Sequence, residues 1–508
     1  MAHPIRHIVI VGGGSAGWLT AGVIAADHRA HAPDGLRVTL IESPDVAPIG
    51  VGEGTWPTMR DTLARIGVSE TAFFRECDAA FKQGSRFDGW RGSEHADYYF
   101  HPFVLPRGYG ETDLVQPWQR EFSHVPFADL VSFQPHLCVQ GRAPKQATTP
   151  EFAAVANYGY HLDAGKFGVF LRKHCLERLG VHYVPDHVTG IASHENGDIA
   201  ALQTRAHGAL AGDLFIDCTG MQSLLLGQHY GIGLVDQRHV LFNDSALAVQ
   251  VPYLNEDSPI ASQTTSTAQR AGWIWDIGLP TRRGIGHVYS SAHTSDDGAA
   301  ADLCAYLGTD ATPRKLTFQP GYRRTFWHRN CVAIGLSAGF IEPLEASALA
   351  LVELSAALVS DDLPATRATM DAVARRFNDA FTYRWERVIE FLKLHYVLSR
   401  RPGAYWDDHR DERSIPVRLQ ELLALWRHRP PSRLDFHRIE EVFPSASWQY
   451  VLYGMGFTPE PGGTRRTDPT VAAQYYREAA DLTRRMLGAL PSNRALIDHI
   501  RRHGLQKI

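Results

Sequence analysis

The first 42 residues constrain this chain more than any other stretch. Ile8-Val9-Ile10-Val11 is a short apolar run rich in β-branched residues, the pattern of a buried parallel strand. It leads directly into Gly12-x-Gly14-x-x-Gly17 and then into an apolar, small-residue helix over 18–26. Each glycine answers a physical need. Gly12 permits a tight turn, Gly14 lets backbone N–H groups approach a pyrophosphate, and Gly17 lets helix and strand pack closely. A second strand over 37–41 ends on Glu42, a carboxylate suited to accept hydrogen bonds from a ribose hydroxyl. Together these pieces predict a dinucleotide site; the alternative is a merely tight βα turn.

At 508 residues the chain can hold two or three cores, or one large split domain. With 44% apolar and 21% charged residues it has the composition of a globular protein. A net charge of -4 gives no global pull toward nucleic acid, and Arg484-Arg485 and Arg501-Arg502 read as solvated helix faces. The six cysteines are scattered without a CxxC pair, which predicts a reducing compartment and no metal cluster. No apolar run is long enough to cross a membrane, and no leader pattern precedes the first strand, so a cytoplasmic location is expected.

Further along, a glycine-rich loop over 48–57, including Gly50, suits a backbone pressed against a flat ligand. A helix is predicted over 58–66, and an amphipathic stretch over 73–81 ends at Lys82. Residues 94–150 read as an aromatic, His-rich, loop-like insertion. A helix over 167–179 precedes strands at 181–184, at 188–191 (beginning with Val188), and at 202–206. A strand over 213–217 ends in a turn at Gly220, which would bring the chain back to the first βαβ unit. Residues 240–325 are strand-like, and one more buried strand leads through Gly335 and Leu336 into Glu342-Pro343-Leu344-Glu345 and a helix over 347–359. The remainder reads as mostly helical.

Four of these pieces together resemble one family, the flavin-dependent tryptophan-type halogenases. They are Gly12 through Trp18, Ala80-Phe81-Lys82, Trp273-x-Trp275-x-Ile277, and Gly335 through Ser347 with its Glu-Pro-Leu-Glu. The similarity runs over roughly residues 5–460. It implies an α/β (α+β) FAD-binding fold of the glutathione-reductase/aromatic-hydroxylase type with a mostly helical C-terminal cap. The expected parts are a discontinuous FAD domain (1–95, 150–235, 325–395), a substrate-side β/loop region (96–149, 236–324) and a helical cap (396–508).

The resemblance also implies roles. FAD, supplied reduced as FADH2, would lie against Gly12, Gly14, Ser15, Ala16, Gly17, Glu42, Gly50, Val188, Gly220, Gly335 and Leu336. Dioxygen and a halide, bromide or chloride, would be co-substrates, and hypohalous acid would be relayed to Lys82. Physical reasoning agrees that a lysine against an apolar wall must find a partner or lower its pKa. Glu345 would stabilise the arenium cation or take its proton; read alone, it is a helix-start carboxylate facing the macrodipole. Ser347 and Ala348 would offer N–H groups to halide at a helix start. His101, Phe103 and Trp448 would wall the substrate ring, and Trp273 and Trp275 would suppress monooxygenation; read alone, these aromatics are core residues.

The chain departs from the family pattern in three places. Ile277-Gly278 stands for Ile-Pro, and Ala346-Ser347-Ala348 stands where many members have Ser-Thr-Gly, which leaves chloride against bromide open. The interval before Trp448 reads Pro430-Pro431-Ser432-Arg433-Leu434-Asp435-Phe436-His437, without the tandem tyrosines that clamp free tryptophan. An indole lacking the amino-acid head, or a larger aromatic, is therefore the expected substrate. There is no second nucleotide fingerprint, so a separate NAD(P)H-dependent flavin reductase is the expected partner, and a homodimer is compatible with the resemblance. Two rival readings remain: an FAD-dependent aromatic monooxygenase, separated by halide dependence, and a non-catalytic FAD-binding protein, which would be indifferent to Lys82→Ala.

Overall fold

The computed structural model describes residues 4–46, 52–92, 97–438, 441–460 and 468–507. The chain divides into two compact units, each built from three stretches.

The first unit comprises Met1–Asp78, Leu162–Asp236 and Gln319–Trp385. Its centre is a six-stranded sheet in the order Trp327–His328, Cys331–Ala333, Leu214–Asp217, His7–Val11, Arg37–Glu42, His182–Pro185. All neighbours are parallel except the edge pair Trp327–His328 and Cys331–Ala333. Ile8, Val9 and Ile10 are fully buried, as strands covered on both faces must be. The helix Ser15–Asp27 makes the crossover between the first two strands, and it is buried continuously from Gly17 to Ala25. Being apolar all round, it packs between neighbours, the helices Ser347–Asp361 and Ala164–Arg178. The expected return of the chain is present: Leu214 pairs with Ile8 and Asp217 with Val11, and Val332 lies beside Ile216.

The second unit comprises Ala79–His161, Gln237–Phe318 and Glu386–Ile508. A seven-stranded sheet runs Arg314–Thr317, Ser245–Pro252, Arg282–Tyr289, Gly272–Gly278, Thr264–Gln269, Gly84–Asp88, Tyr98–Pro102. Residues 79–92, grouped above with the nucleotide domain, lie in this unit because Gly84–Asp88 is sealed between Thr264–Gln269 and Tyr98–Pro102. The stretch 94–150 is not simply loop. It contains the short helices Val115–Glu121, Phe127–Val131 and Gln134–Val139, whose apolar residues pack on the helix Pro469–Ala489. The C-terminal helices, from Ala404–Arg410 to Asn493–His503, belong to this unit. Among the described residues no helix is long and apolar enough to cross a membrane, and no group of three or more His, Cys, Asp or Glu is placed to hold a metal ion.

Candidate active site

A cleft lies in the first unit, at the carboxyl ends of the parallel strands, where an open α/β sheet places its ligands. It has a volume of about 600 Å³. Of the residues expected to lie against FAD, Gly12, Gly14, Ser15, Glu42 and Val188 line it together. Gly12 has φ +111°, and a Cβ there would stand 2.2 Å from the Cys218 carbonyl oxygen, so only glycine fits. A Cβ on Gly17 would meet the Gly12 oxygen at 1.9 Å. Gly14 is open, with nothing within 4 Å of its missing side chain. Gly14 also caps the helix Ser15–Asp27 without a side-chain bond, and the first turn carries no acid. Its N–H groups are therefore arranged for an anion.

Glu42 lies directly against the glycine turn, where a Cβ on Gly13 would stand 2.0 Å from its carboxyl carbon. Its Oε2 is buried without a hydrogen-bond partner, Arg172 stands 3.9 Å away, and burial raises the carboxyl's pKa. An orphaned acceptor beside an open glycine turn is what a ribose diphosphate would complete. The residues present thus fit a dinucleotide.

Ala16, Gly17, Gly220, Gly335 and Leu336 do not line this cleft; several of them support it instead. Gly335 has φ +74°, and a Cβ there would stand 2.7 Å from Ala16 Cβ. Asp217, fully buried, organises the turn at Gly220 by accepting from Thr219 N–H and hydroxyl (3.0 and 2.6 Å) and from Leu225 and Leu226 N–H (2.9 Å each). Ser337 donates to the Asp217 carbonyl. Gly50 lies outside the described residues. Sequence reasoning missed Arg172, Tyr183, Asp186 and His187, which also line the cleft. For Tyr183, Asp186 and His187 the signal was the strand His182–Pro185, which lies next to Glu42's strand and delivers its end to the same edge, whereas Arg172 comes from the helix Ala164–Arg178.

Also in the first unit, Glu342-Pro343-Leu344-Glu345 forms a kinked turn into the helix Ser347–Asp361. Glu345 (φ 62°) and Ala346 (φ 54°) are both left-handed, a conformation costing a non-glycine residue about 1–2 kcal/mol. The turn is held from outside: Trp56 Nε1 donates to the Glu345 carbonyl at 2.7 Å. Glu345 is buried, as is Ser347. Ala346 offers no side chain to cap the helix, and the first turn holds no acid, so the N–H groups at Ser347 and Ala348 keep the polarity an anion requires. Glu353, one and a half turns further along, is wholly buried; burial pushes its carboxyl up to about 8, although Thr62 and Thr58 hydroxyls donate to it (2.5 and 3.4 Å).

In the second unit, Lys82 does not follow a helix. The helix Glu70–Glu76 ends earlier, Asp78 turns the chain with φ 46°, and Ala80–Lys82 is a strand paired antiparallel with Gly159–His161. Lys82 is 1% exposed, with Nζ 5.5 Å from the centre of the Phe103 ring. The predicted aromatic wall is only partly assembled by the predicted residues. His101 and Trp448, both buried, meet through Phe391, at 5.6 and 5.0 Å between ring centres. Phe443 stacks on Phe391 at 3.8 Å and stands 6.4 Å from His101, and its carbonyl accepts from Trp448 Nε1 at 3.0 Å. Phe391 and Phe443 carried no distinguishing sequence signal because each is one of several aromatics in its stretch, with Trp385 and Tyr396 near the first and Phe436 and Tyr450 near the second. Trp273, 1% exposed, packs against Trp90 at 6.4 Å, and Trp275 lies over Gly286, whose Cβ would meet it at 2.1 Å. Gly278 is where Ile-Pro was expected; a Cβ there already stands 3.0 Å from Ala261 N.

Comparison with known proteins agrees with this geometry. The tryptophan halogenase family model matches residues 7–472. The chain is 31% identical to the 7-chloro-L-tryptophan 6-halogenase KtzR of Kutzneria sp. (strain 744), covering 96% of this chain and 98% of that one. Its fold is similar to that of a tryptophan halogenase from Shewanella frigidimarina NCIMB 400, with 49% identity, a TM-score of 0.96 and 99% of each chain covered. It is also similar to BrvH, a flavin-dependent halogenase from Brevundimonas sp. BAL3, with 33% identity, a TM-score of 0.85, and 98% and 99% of the two chains covered. With a family model spanning most of its length and relatives matched end to end, the chain belongs to the tryptophan halogenase family of flavin-dependent enzymes.

Proposed function

We propose that the protein is an FADH2-dependent halogenase that brominates or chlorinates an indole or another arene rather than free tryptophan. The observation that carries the substrate reading is the interval before Trp448. The one carboxylate within residues 430–437, Asp435, is already committed. It accepts from Arg429 through both oxygens, from Trp426 Nε1 at 3.1 Å and from Ser432 N–H at 2.8 Å within a capping box. Burial would raise this carboxyl, but the Arg429 and Ser432 bonds bring it below its ordinary value. It has little capacity left for a substrate ammonium. Phe391, Phe443 and Trp448 present ring surface instead.

In this reading the N–H groups of the helix Ser15–Asp27 hold the cofactor diphosphate and Glu42 the ribose. Flavin held there, reduced by a separate NAD(P)H-dependent reductase, would supply the electrons for oxidation of halide by dioxygen. Ser347 and Ala348 N–H groups hold the halide. Lys82, buried, orients hypohalous acid toward the arene, and Glu345 offsets the positive charge of the arenium ion and accepts its proton. The relatives KtzR and RebH are described as acting on a chlorotryptophan and on tryptophan, so the substrate test is direct. Steady-state turnover of indole and tryptophan, with reductase, NADH and bromide, should favour indole by about 100-fold or more in kcat/KM; equal efficiency on tryptophan would refute the reading.

A further inference from the structure

We infer that His161 is a positioning residue for Lys82; this rests on the reading of Lys82 given above. In the antiparallel pair of Ala80–Lys82 with the strand Gly159–Asp163, Ala80 faces His161 and Lys82 faces Gly159. Directly opposed residues share a face, so Lys82 and His161 are diagonal neighbours on one face, while Phe81 and Tyr160 take the other. Glycine opposite Lys82 leaves space over which the long side chain can lie beside the imidazole. Both groups are out of water, Lys82 at 1% and His161 at 0% exposed.

A second protonated ring here would put two cations on one dry face. The ring is instead held neutral: burial, and then the Lys82 charge, depress its pKa well below the ordinary value, against the opposing influence of the Gly278 carbonyl. Its orientation is fixed from the neighbouring sheet, where Thr264 Oγ1 lies 2.9 Å from Nε2. Thr264 begins the strand that pairs with Gly272–Gly278, so the strand carrying Trp273 and Trp275 acts on His161 through its partner strand. His161 thereby leaves Lys82 the sole cation on this face and fixes the side on which its chain lies.

The test uses the full chain with FAD, reductase, NADH, bromide and indole, and reads brominated indole formed per flavin oxidised. His161→Phe should lower that ratio about ten- to a hundred-fold, the scale of a misplaced reacting group, with the KM for indole and the flavin oxidation rate unchanged. His161→Gln, neutral and polar, should restore most of it. Thr264→Val, which keeps the imidazole but frees it, should lower the ratio about threefold or more, and it carries the test if His161→Phe does not fold. An unchanged ratio in His161→Phe or in a folded Thr264→Val, alongside a Lys82→Ala control that makes no product, would overturn the role of His161 alone. A Lys82→Ala variant that still brominates would overturn the reading of Lys82 itself.

Discussion

Replacing Glu353 by glutamine should stabilise the protein in a pH-dependent manner. Glu353 is enclosed within the helix Ser347–Asp361, and burial pushes its carboxyl from 4.5 up to about 8 despite the Thr62 and Thr58 bonds. Between those two values the folded state holds a proton that the unfolded chain has released, so this group's contribution is most favourable below pH 4.5 and is lost as pH rises toward 8. At about 1.36 kcal/mol per pH unit, keeping the carboxyl neutral in the fold costs under about 1 kcal/mol at pH 5 and about 4 kcal/mol at pH 7.5. Glutamine has nearly the same shape, accepts from one threonine hydroxyl through its carbonyl oxygen, donates its NH2 to the other, and needs no proton. Glu353→Gln should therefore gain about 3 kcal/mol more at pH 7.5 than at pH 5. Urea unfolding followed by circular dichroism at the two pH values measures the difference. Equal effects at both, or a larger gain at pH 5, would refute the argument that the carboxyl is neutral in the fold.

Two further substitutions probe the backbone of the proposed site. Gly17→Ala places a methyl 1.9 Å from the Gly12 oxygen, so the helix must shift off its turn; FAD affinity, measured by flavin fluorescence, should fall about tenfold or more. Ala346→Gly removes a left-handed penalty of about 1–2 kcal/mol against a glycine entropy cost of about 0.5–1 kcal/mol. It should be stabilising by about 0.5–1 kcal/mol in the same urea experiment, and a loss of stability would contradict the strain assigned to the turn.

The nucleotide turn was legible because its chemistry is local: Gly12, Gly14 and Gly17 each meet their constraint within a few residues, and Glu42 ends the very next strand. The supporting glycines were assigned less sharply. Gly335 packs on Ala16, which is three hundred residues away in sequence, and this makes it a brace for the turn rather than part of the cleft lining. Lys82 was placed on the wrong kind of element because Phe73, Phe74 and Ala79 through Phe81 form one apolar run. The break between helix and strand is a single left-handed residue, Asp78, with no glycine or proline to announce it. The Glu345-Ala346 turn runs against the intrinsic preference of both residues, which is typical of backbone held for function. Of the aromatic cluster around His101 and Trp448, Phe391 and Phe443 could not be read because they meet His101 only through tertiary packing.

The most direct test of the account measures bromoindole and flavin oxidation together in the wild type and in Lys82→Ala, with and without bromide. The account predicts brominated indole only when bromide and Lys82 are both present, and equal flavin oxidation in the two proteins. An indole that gains oxygen in place of bromine, or bromination by Lys82→Ala at the wild-type rate, would contradict it.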